Sequence, residues 1–255
     1  MLRVFYNLCL VLVLLFWSTA AQAGQLTQRL AQFPHWESKP PVSAAKGDLI
    51  YPNWMEGTWN VTSTLVDLAA PLAPDVVTPG FESNRQYLNQ PVSFTVRFVK
   101  ASSTTQTGII LPLQTSTQVI ADRAFNGLNI GRAYLGDRTI QSVKVDPNSP
   151  NRQITLLKGD RQLISLVTGR SSEKPNSDQF VATEVSQQIF GSKPQLYFNT
   201  VETTTAYTLI QSKTPKIEAD QVTAVYLSPQ DPDYFKAIDK PVALYRYRLQ
   251  LLPIE

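Results

Sequence analysis

The chain has 255 residues, a formal net charge of +3 at neutral pH, one histidine and one cysteine. A charge this small, with no basic run interleaved with aromatic residues, argues against nucleic-acid binding. One histidine and one cysteine are too few for a zinc site built from those ligands, and neither a P-loop nor a dinucleotide fingerprint occurs. The sequence therefore predicts no metal and no cofactor.

The first 23 residues have the three parts of a secretory signal peptide. Arg3 gives a positive start, an apolar run covers residues 4–17, and Ala21-Gln22-Ala23 is a small-x-small exit. The run is shorter than the roughly 20 residues of a membrane span. We therefore expect cleavage after Ala23 and export, with an uncleaved anchor as the alternative. No later stretch reaches spanning length, so the mature chain is expected not to span a membrane.

Residues 24–50 form an N-terminal extension that precedes the main domain. Residues 25–33 predict a short helix with Leu26, Leu30 and Phe33 on one face, and Pro34 ends it.

From residue 51 to residue 255 the hydrophobic period changes to two, which is typical of strands. Val92, Phe94, Val96 and Phe98 share one face of the clearest strand. Further strands are predicted at 59–65, 139–145, 153–157, 162–168, 179–185, 197–210, 221–227 and 242–251. Short β-branched and aromatic runs separated by Pro, Gly, Asn and Asp predict one all-β, antiparallel domain.

Two segments within this domain favour one or two short helices. Residues 120–136 predict a short helix or a structured loop, and residues 231–238 predict a helical turn capped by Asp231. In the first segment, Asp122 and Arg123 are an adjacent acid and base. We hypothesise that a carboxylate holds Arg123 and that Arg123 organises this segment over a barrel mouth, with ordinary loop structure as the alternative.

The stretch Gly57-Thr58-Trp59 resembles the start of the lipocalin and fatty-acid-binding barrels. In those barrels a tryptophan plugs one end and a last-strand arginine packs over its ring, which gains a cation–π contact. The resemblance implies a lipocalin-like up-and-down β-barrel closed by Gly57 and Trp59, with Arg246 or Arg248 over the indole. A β-sandwich or an open barrel with Trp59 in its core is the alternative.

Three longer runs carry a second resemblance: DRAFNGLNIGRAYLG, VKVDPNSPNRQITLLKGDRQL and VETTTAY. They are similar to an uncharacterised family of cyanobacteria and plant chloroplasts, over most of residues 51–251. That resemblance implies export to the periplasm or the thylakoid lumen and a role connected with photosynthesis. It implies no activity and no catalytic residue.

We predict no catalytic residue and no enzyme activity. His35 is the sole histidine and follows Pro34 in the extension. The sequence has no Gly-x-Ser-x-Gly motif, so it offers no nucleophilic serine for which His35 could act as the base. The carboxylates Asp231, Asp233, Glu184 and Glu202 leave a hydrolase as a remote alternative.

The barrel interpretation predicts a binding protein for an apolar small molecule, such as a lipid, carotenoid or tetrapyrrole. Phe94, Val96, Phe98 and Tyr207 would line the cavity, and Arg123 would lie at its mouth. The alternative is an assembly or interaction factor for a photosynthetic membrane complex, with a barrel filled by side chains. Its candidate contact elements are residues 70–80 and 120–136.

Overall fold

A computed structural model describes residues 24–254 except 79, 104–115, 193–194 and 214–215. The predicted signal peptide at residues 1–23 lies outside the described residues. The described chain is mostly antiparallel β-structure, as predicted, and its eleven strands are β1 Ser43–Ala44, β2 Gly57–Ala69, β3 Pro91–Ser103, β4 Ser116–Ala121, β5 Ile140–Asp146, β6 Ser149–Leu157, β7 Arg161–Asn176, β8 Gln179–Ser192, β9 Gln195–Ile210, β10 Lys216–Leu227 and β11 Ala243–Pro253.

Sequential strands pair with one another in an up-and-down manner. The order across the sheet is β4-β3-β2-β11-β10-β9-β8-β7-β6-β5, so that the early strand β2 pairs with the last strand β11 in the interior of the sheet. Within the described residues the order ends at β4 on one side and at β5 on the other. The sheet is thus a curled half-barrel, and the predicted closed barrel is corrected to this form.

Four short helices accompany the sheet in the described residues: one in the extension, where one was predicted, and three in the main domain, where one or two were predicted. They are α1 Gln25–Ala31, α2 Phe81–Asn84, α3 Arg123–Leu135 and α4 Tyr234–Ala237. The helix alternative for residues 120–136 is confirmed as α3. Helix α4 begins later than predicted, because the Asp231 carboxylate accepts a hydrogen bond from the Asp233 backbone N–H and forms a turn before the helix.

The N-terminal segment bridges the two halves of the curled sheet. Ser43 and Ala44 pair with the edge of β7, and Tyr51 then forms a bridge with Val119 of β4. The Tyr51 ring contacts Phe98 of β3, with ring centroids 4.8 Å apart, and Phe180 of β8 at 5.5 Å. Side chains from distant strands therefore meet around one tyrosine at one end of the sheet.

Helix α3 lies inside the curl, against the inner face of β5 and β6. A Cβ atom at Gly127 would lie 3.1 Å from Val143 Cγ1, and one at Gly131 would lie 3.1 Å from Ile140 Cγ1. These approaches are tighter than ordinary van der Waals contact, so the two glycines allow the helix to lie close to the strands. This explains why a helix of 13 residues tolerates two glycines.

The outer face of the sheet is covered in part by the N-terminal extension. Leu26, Leu30 and Trp36 pack on β8, β10 and β11 and are buried there. Beneath them, Arg29 donates two hydrogen bonds to Glu202, at 2.6 and 2.7 Å, and Tyr226 donates one to the same carboxylate at 2.6 Å. The extension is thus joined to the sheet by a buried ion pair as well as by apolar contacts.

Trp59 is buried near the bridging segment, and its Nε1 donates to the Met55 carbonyl at 2.9 Å. Gly57, just before it, has a φ of 128°, which residues with a Cβ rarely adopt. The prediction that Arg246 or Arg248 covers the indole is wrong.

The register of β2 and β11 explains the error. Trp59 pairs with Pro253, whereas Arg248 pairs with Thr64, five residues along β2 and about 17 Å away by strand rise. Arg246 lies farther still, on the outer face, where it binds Asp220 and lies over the Phe33 ring at 5.4 Å. Strand β2 and the last strand, β11, do pair, but Trp59 and the two arginines lie at different positions along them.

The buried ion pair on the outer face gives a stability prediction. Replacing Arg29 by Met leaves the Glu202 carboxylate buried without its cation, which costs about 3–5 kcal/mol of unfolding free energy. The control Arg85→Met breaks an exposed pair with Glu82 and is expected to change stability by less than about 1 kcal/mol. Urea unfolding of both variants measures the difference, and equal effects would contradict the prediction.

Candidate functional site

A partly open cavity of about 380 Å³, which we call the inner cavity, lies between the inner face of the sheet and α3. Its wall consists of Tyr51, Val61, Ser63, Phe94, Val96, Phe98, Ala121, Asn126, Ile130, Tyr134, Tyr207, Gln221, Thr223, Tyr247, Leu249 and Leu251. Asp, Glu, Lys, Arg and His are missing from this set. The wall is therefore uncharged and mainly apolar, with several hydroxyl and amide groups.

The structure brings four of the predicted binding residues together on this wall. Phe94, Val96 and Phe98 alternate along β3 and so face the same side, and Tyr207 of β9 approaches them from across the curl. Phe98 and Tyr207 both lie within ring distance of Tyr51. The two-residue period of β3 was the signal that located them.

Other wall residues were missed by the sequence analysis although a signal for some existed. Tyr247, Leu249 and Leu251 share one face of β11, opposite to its arginines. Asn126, Ile130 and Tyr134 recur every four residues along α3 and hence lie on one helix face. That this face of β11 and this face of α3 lie opposite each other across the cavity follows only from the curl of the sheet.

The start of α3 is fastened to β3 by a polar clamp. The Asn126 side chain accepts a hydrogen bond from the Arg97 backbone N–H at 2.6 Å and donates one to the Arg97 carbonyl at 3.1 Å. Asp122 caps the helix by accepting from the Phe125 N–H, and its carboxylate also binds the Arg97 guanidinium at 2.6 Å. The amide of Asn126 thus takes the place of a neighbouring strand along the edge of β3.

Arg123 contacts a carboxylate, as hypothesised, but that carboxylate belongs to Glu184 of β8. The Arg123 Nη1 to Glu184 Oε1 distance is 3.4 Å, and both side chains are largely buried. Arg123 is not part of the cavity wall; it lies beside the wall residues Ala121 and Asn126 in the chain. Its side chain is largely buried on the inner side of the sheet, and its place at the mouth of the cavity stays a prediction.

The phenols around the inner cavity are neutral at physiological pH. Burial raises the pKa of Tyr207 to about 12, and burial likewise raises the pKa values of Tyr51 and Tyr247. Tyr134 donates a hydrogen bond to Ser63 Oγ at 3.1 Å, across the interface between α3 and β2. The wall therefore offers hydrogen bonds and ring surfaces without fixed charge.

Two of the carboxylates considered for hydrolysis, Glu184 and Glu202, lie on opposite faces of the sheet. Glu184 faces the inside of the curl and binds Arg170, while Glu202 lies on the outer face and binds Arg29. Asp233 is bound to Lys236 at a helix start. Among the residues that the structure describes, no group of three or more His, Cys, Asp and Glu side chains forms a metal site, and no helix is long and apolar enough to cross a membrane.

The clamp at the start of α3 gives a second prediction. Asn126→Leu keeps the size of the side chain but leaves the Arg97 backbone N–H without its partner, at a cost of about 1–3 kcal/mol in unfolding free energy, while the Arg97 carbonyl keeps its hydrogen bond from the Asp122 N–H. Asn129→Leu, which loses one bond to the Phe125 carbonyl within the helix, is the control. Thermal unfolding compares the two, and an equal or larger loss in the control would argue against the clamp.

Comparison with known proteins places the chain in a family. A family model described as a domain of unknown function, DUF6816, matches residues 43–255, so the chain belongs to this family. No match was found among curated proteins or among solved structures.

Proposed function

We propose that this member of the DUF6816 family is an exported, non-enzymatic, lipocalin-like protein that binds an apolar small molecule in its inner cavity. The observation that carries the proposal is an uncharged cavity lined by aromatic rings and aliphatic side chains on the inside of a curled sheet. Ligand sites in proteins have this character: concave, mostly apolar, with a few polar groups that orient the ligand.

The volume of the inner cavity limits the size of the ligand that it can hold. A volume of about 380 Å³ lies near the lower end of the roughly 300–1,000 Å³ that is usual for ligand sites. This favours a slender molecule, such as a single-chain lipid, over a bulky carotenoid or tetrapyrrole. We propose that the protein acts in the thylakoid lumen or the periplasm, on the basis of the predicted signal peptide and the resemblance given above.

A cavity-filling substitution tests the proposal. Thr223→Trp puts an indole into the inner cavity from β10 and is expected to remove any bound ligand. Thr62→Trp is the control, because Thr62 lies on β2 between the wall residues Val61 and Ser63 and so faces the outer side. Each protein is purified from its own host, extracted with solvent and analysed by mass spectrometry.

The expected result is a lipid-like molecule in the extracts of the natural protein and of Thr62→Trp, and its loss from Thr223→Trp. Repeated extracts of the natural protein without any such molecule would contradict the proposal, as would a ligand that Thr223→Trp retains unchanged.

An assembly or interaction role is a second candidate, favoured by an apolar row on the outer face. Ile154, Ile164, Ile189 and Phe198 are direct cross-strand neighbours on β6, β7, β8 and β9, and all four are partly exposed. The inner cavity weighs against a barrel filled by side chains. Helix α3, one of the two predicted contact elements, packs one side on the inner face of β5 and leaves Leu135 exposed.

This second role makes its own prediction. Ile164→Glu interrupts the apolar row and is expected to abolish crosslinking to a photosynthetic membrane complex in the host, while ligand retention is unchanged. Gln162→Glu, at an exposed position of the same strand and face, is the matched control. The same crosslinked complex with both variants would remove this candidate.

A further inference from the structure

A cluster of three charged side chains lies inside the curl near the inner cavity. Arg123 begins α3, Arg170 is on β7 and Glu184 is on β8. Their side chains are 18%, 11% and 24% exposed, respectively. Two guanidinium groups share one carboxylate in a place with little access to water, so the cluster carries an excess positive charge.

Arg170 binds the Glu184 carboxylate more closely than Arg123 does. Its Nε and Nη2 donate to Glu184 Oε1 at 3.2 and 2.6 Å. Its other donors bind the Gly47 carbonyl at 2.6 Å and Asn151 Oδ1 at 2.8 Å. Arg170 is thus held on three sides and neutralises Glu184.

Arg123 lacks a comparable partner. Its contact with Glu184 is long, at 3.4 Å, and uses the oxygen that Arg170 already binds. Asp122, the adjacent carboxylate in the chain, is bound to Arg97 at 2.6 Å. The Arg123 Nε is buried and has no hydrogen-bond partner among the described residues. A buried guanidinium without a matched counterion is costly, and an anion that reaches it would be bound favourably.

Tyr51 connects this cation with the inner cavity. Its ring is part of the cavity wall, and the charges of Glu184, Arg123 and Arg170 all act on its hydroxyl. Ala121 and Asn126, which flank Arg123 in the chain, are wall residues too. The backbone of Arg123 therefore lies close to the cavity wall, two residues after Ala121 and three residues before Asn126.

We propose that the ligand is an amphipathic acid, whose apolar chain occupies the inner cavity and whose single carboxylate binds Arg123. This inference rests on the proposed binding function and adds the chemical class of the ligand. A carboxylate matches the planar guanidinium in geometry and carries the one negative charge that the cluster lacks. A neutral alcohol of the same length would fill the cavity equally well but would leave the cation unpaired.

The test compares dodecanoate with 1-dodecanol in calorimetric titrations of the delipidated full chain at neutral pH. The natural protein is expected to bind the acid at least about tenfold more tightly than the alcohol, a difference of about 1.4 kcal/mol. Arg123→Gln should abolish this preference through weaker binding of the acid, with binding of the alcohol unchanged. Arg123→Lys, which keeps the charge, should retain part of it.

Arg132→Gln, at an exposed position of the same helix, is the matched control and should keep the full preference. Equal affinities for acid and alcohol in the natural protein, or a preference that survives in Arg123→Gln, would overturn the inference while the binding function stands. Failure of both molecules to bind the natural protein would overturn the binding function together with the inference. Unfolding curves verify that each variant is folded before it is titrated.

Discussion

The fold depends on a sheet that curls without pairing its two edge strands. In the described chain, β4 and β5 end the hydrogen-bonded order, and the space between them is filled from inside by the bridging segment around Tyr51 and by α3. A barrel closed by strand pairing would have its inside set by strand number and tilt. Here α3 and the aromatic cluster around Tyr51 occupy part of the inside, and the inner cavity lies beside them.

The buried charges on the two faces of the sheet are paired to different extents. On the outer face, Arg29, Glu202 and Tyr226 satisfy one another beneath the N-terminal extension, so the charges there hold the chain together. On the inner face, Arg170 binds Glu184 at 2.6 Å, whereas Arg123 has only a 3.4 Å contact with the same oxygen and a buried Nε without a partner among the described residues. A buried carboxylate needs only one cation to form a stabilising ion pair. A second cation beside that pair can bind an anionic ligand instead. This contrast separates a structural network from a candidate binding group in the same molecule.

Local pattern was a sound guide to the strands and to one wall of the cavity. The alternation of Phe94, Val96 and Phe98 located a shared face, because side chains on a strand alternate between its two sides. The same reasoning did not place Trp59 relative to Arg248, because strand register depends on pairing across the sheet and not on residues within one strand. The partner of Arg123 also escaped prediction, since Glu184 lies 61 residues away in the chain.

The sequence by itself determined an antiparallel all-β domain and the helix at the start of the extension, because these follow from periodicity and turn residues within short windows, and it left residues 120–136 as a helix or a structured loop. Tertiary structure alone decided that the sheet stays open, that α3 lies inside it and that one arginine is left without its own carboxylate. Those outcomes depend on which distant side chains compete for the same space and the same counterion, and such competition exists only once the strands are side by side.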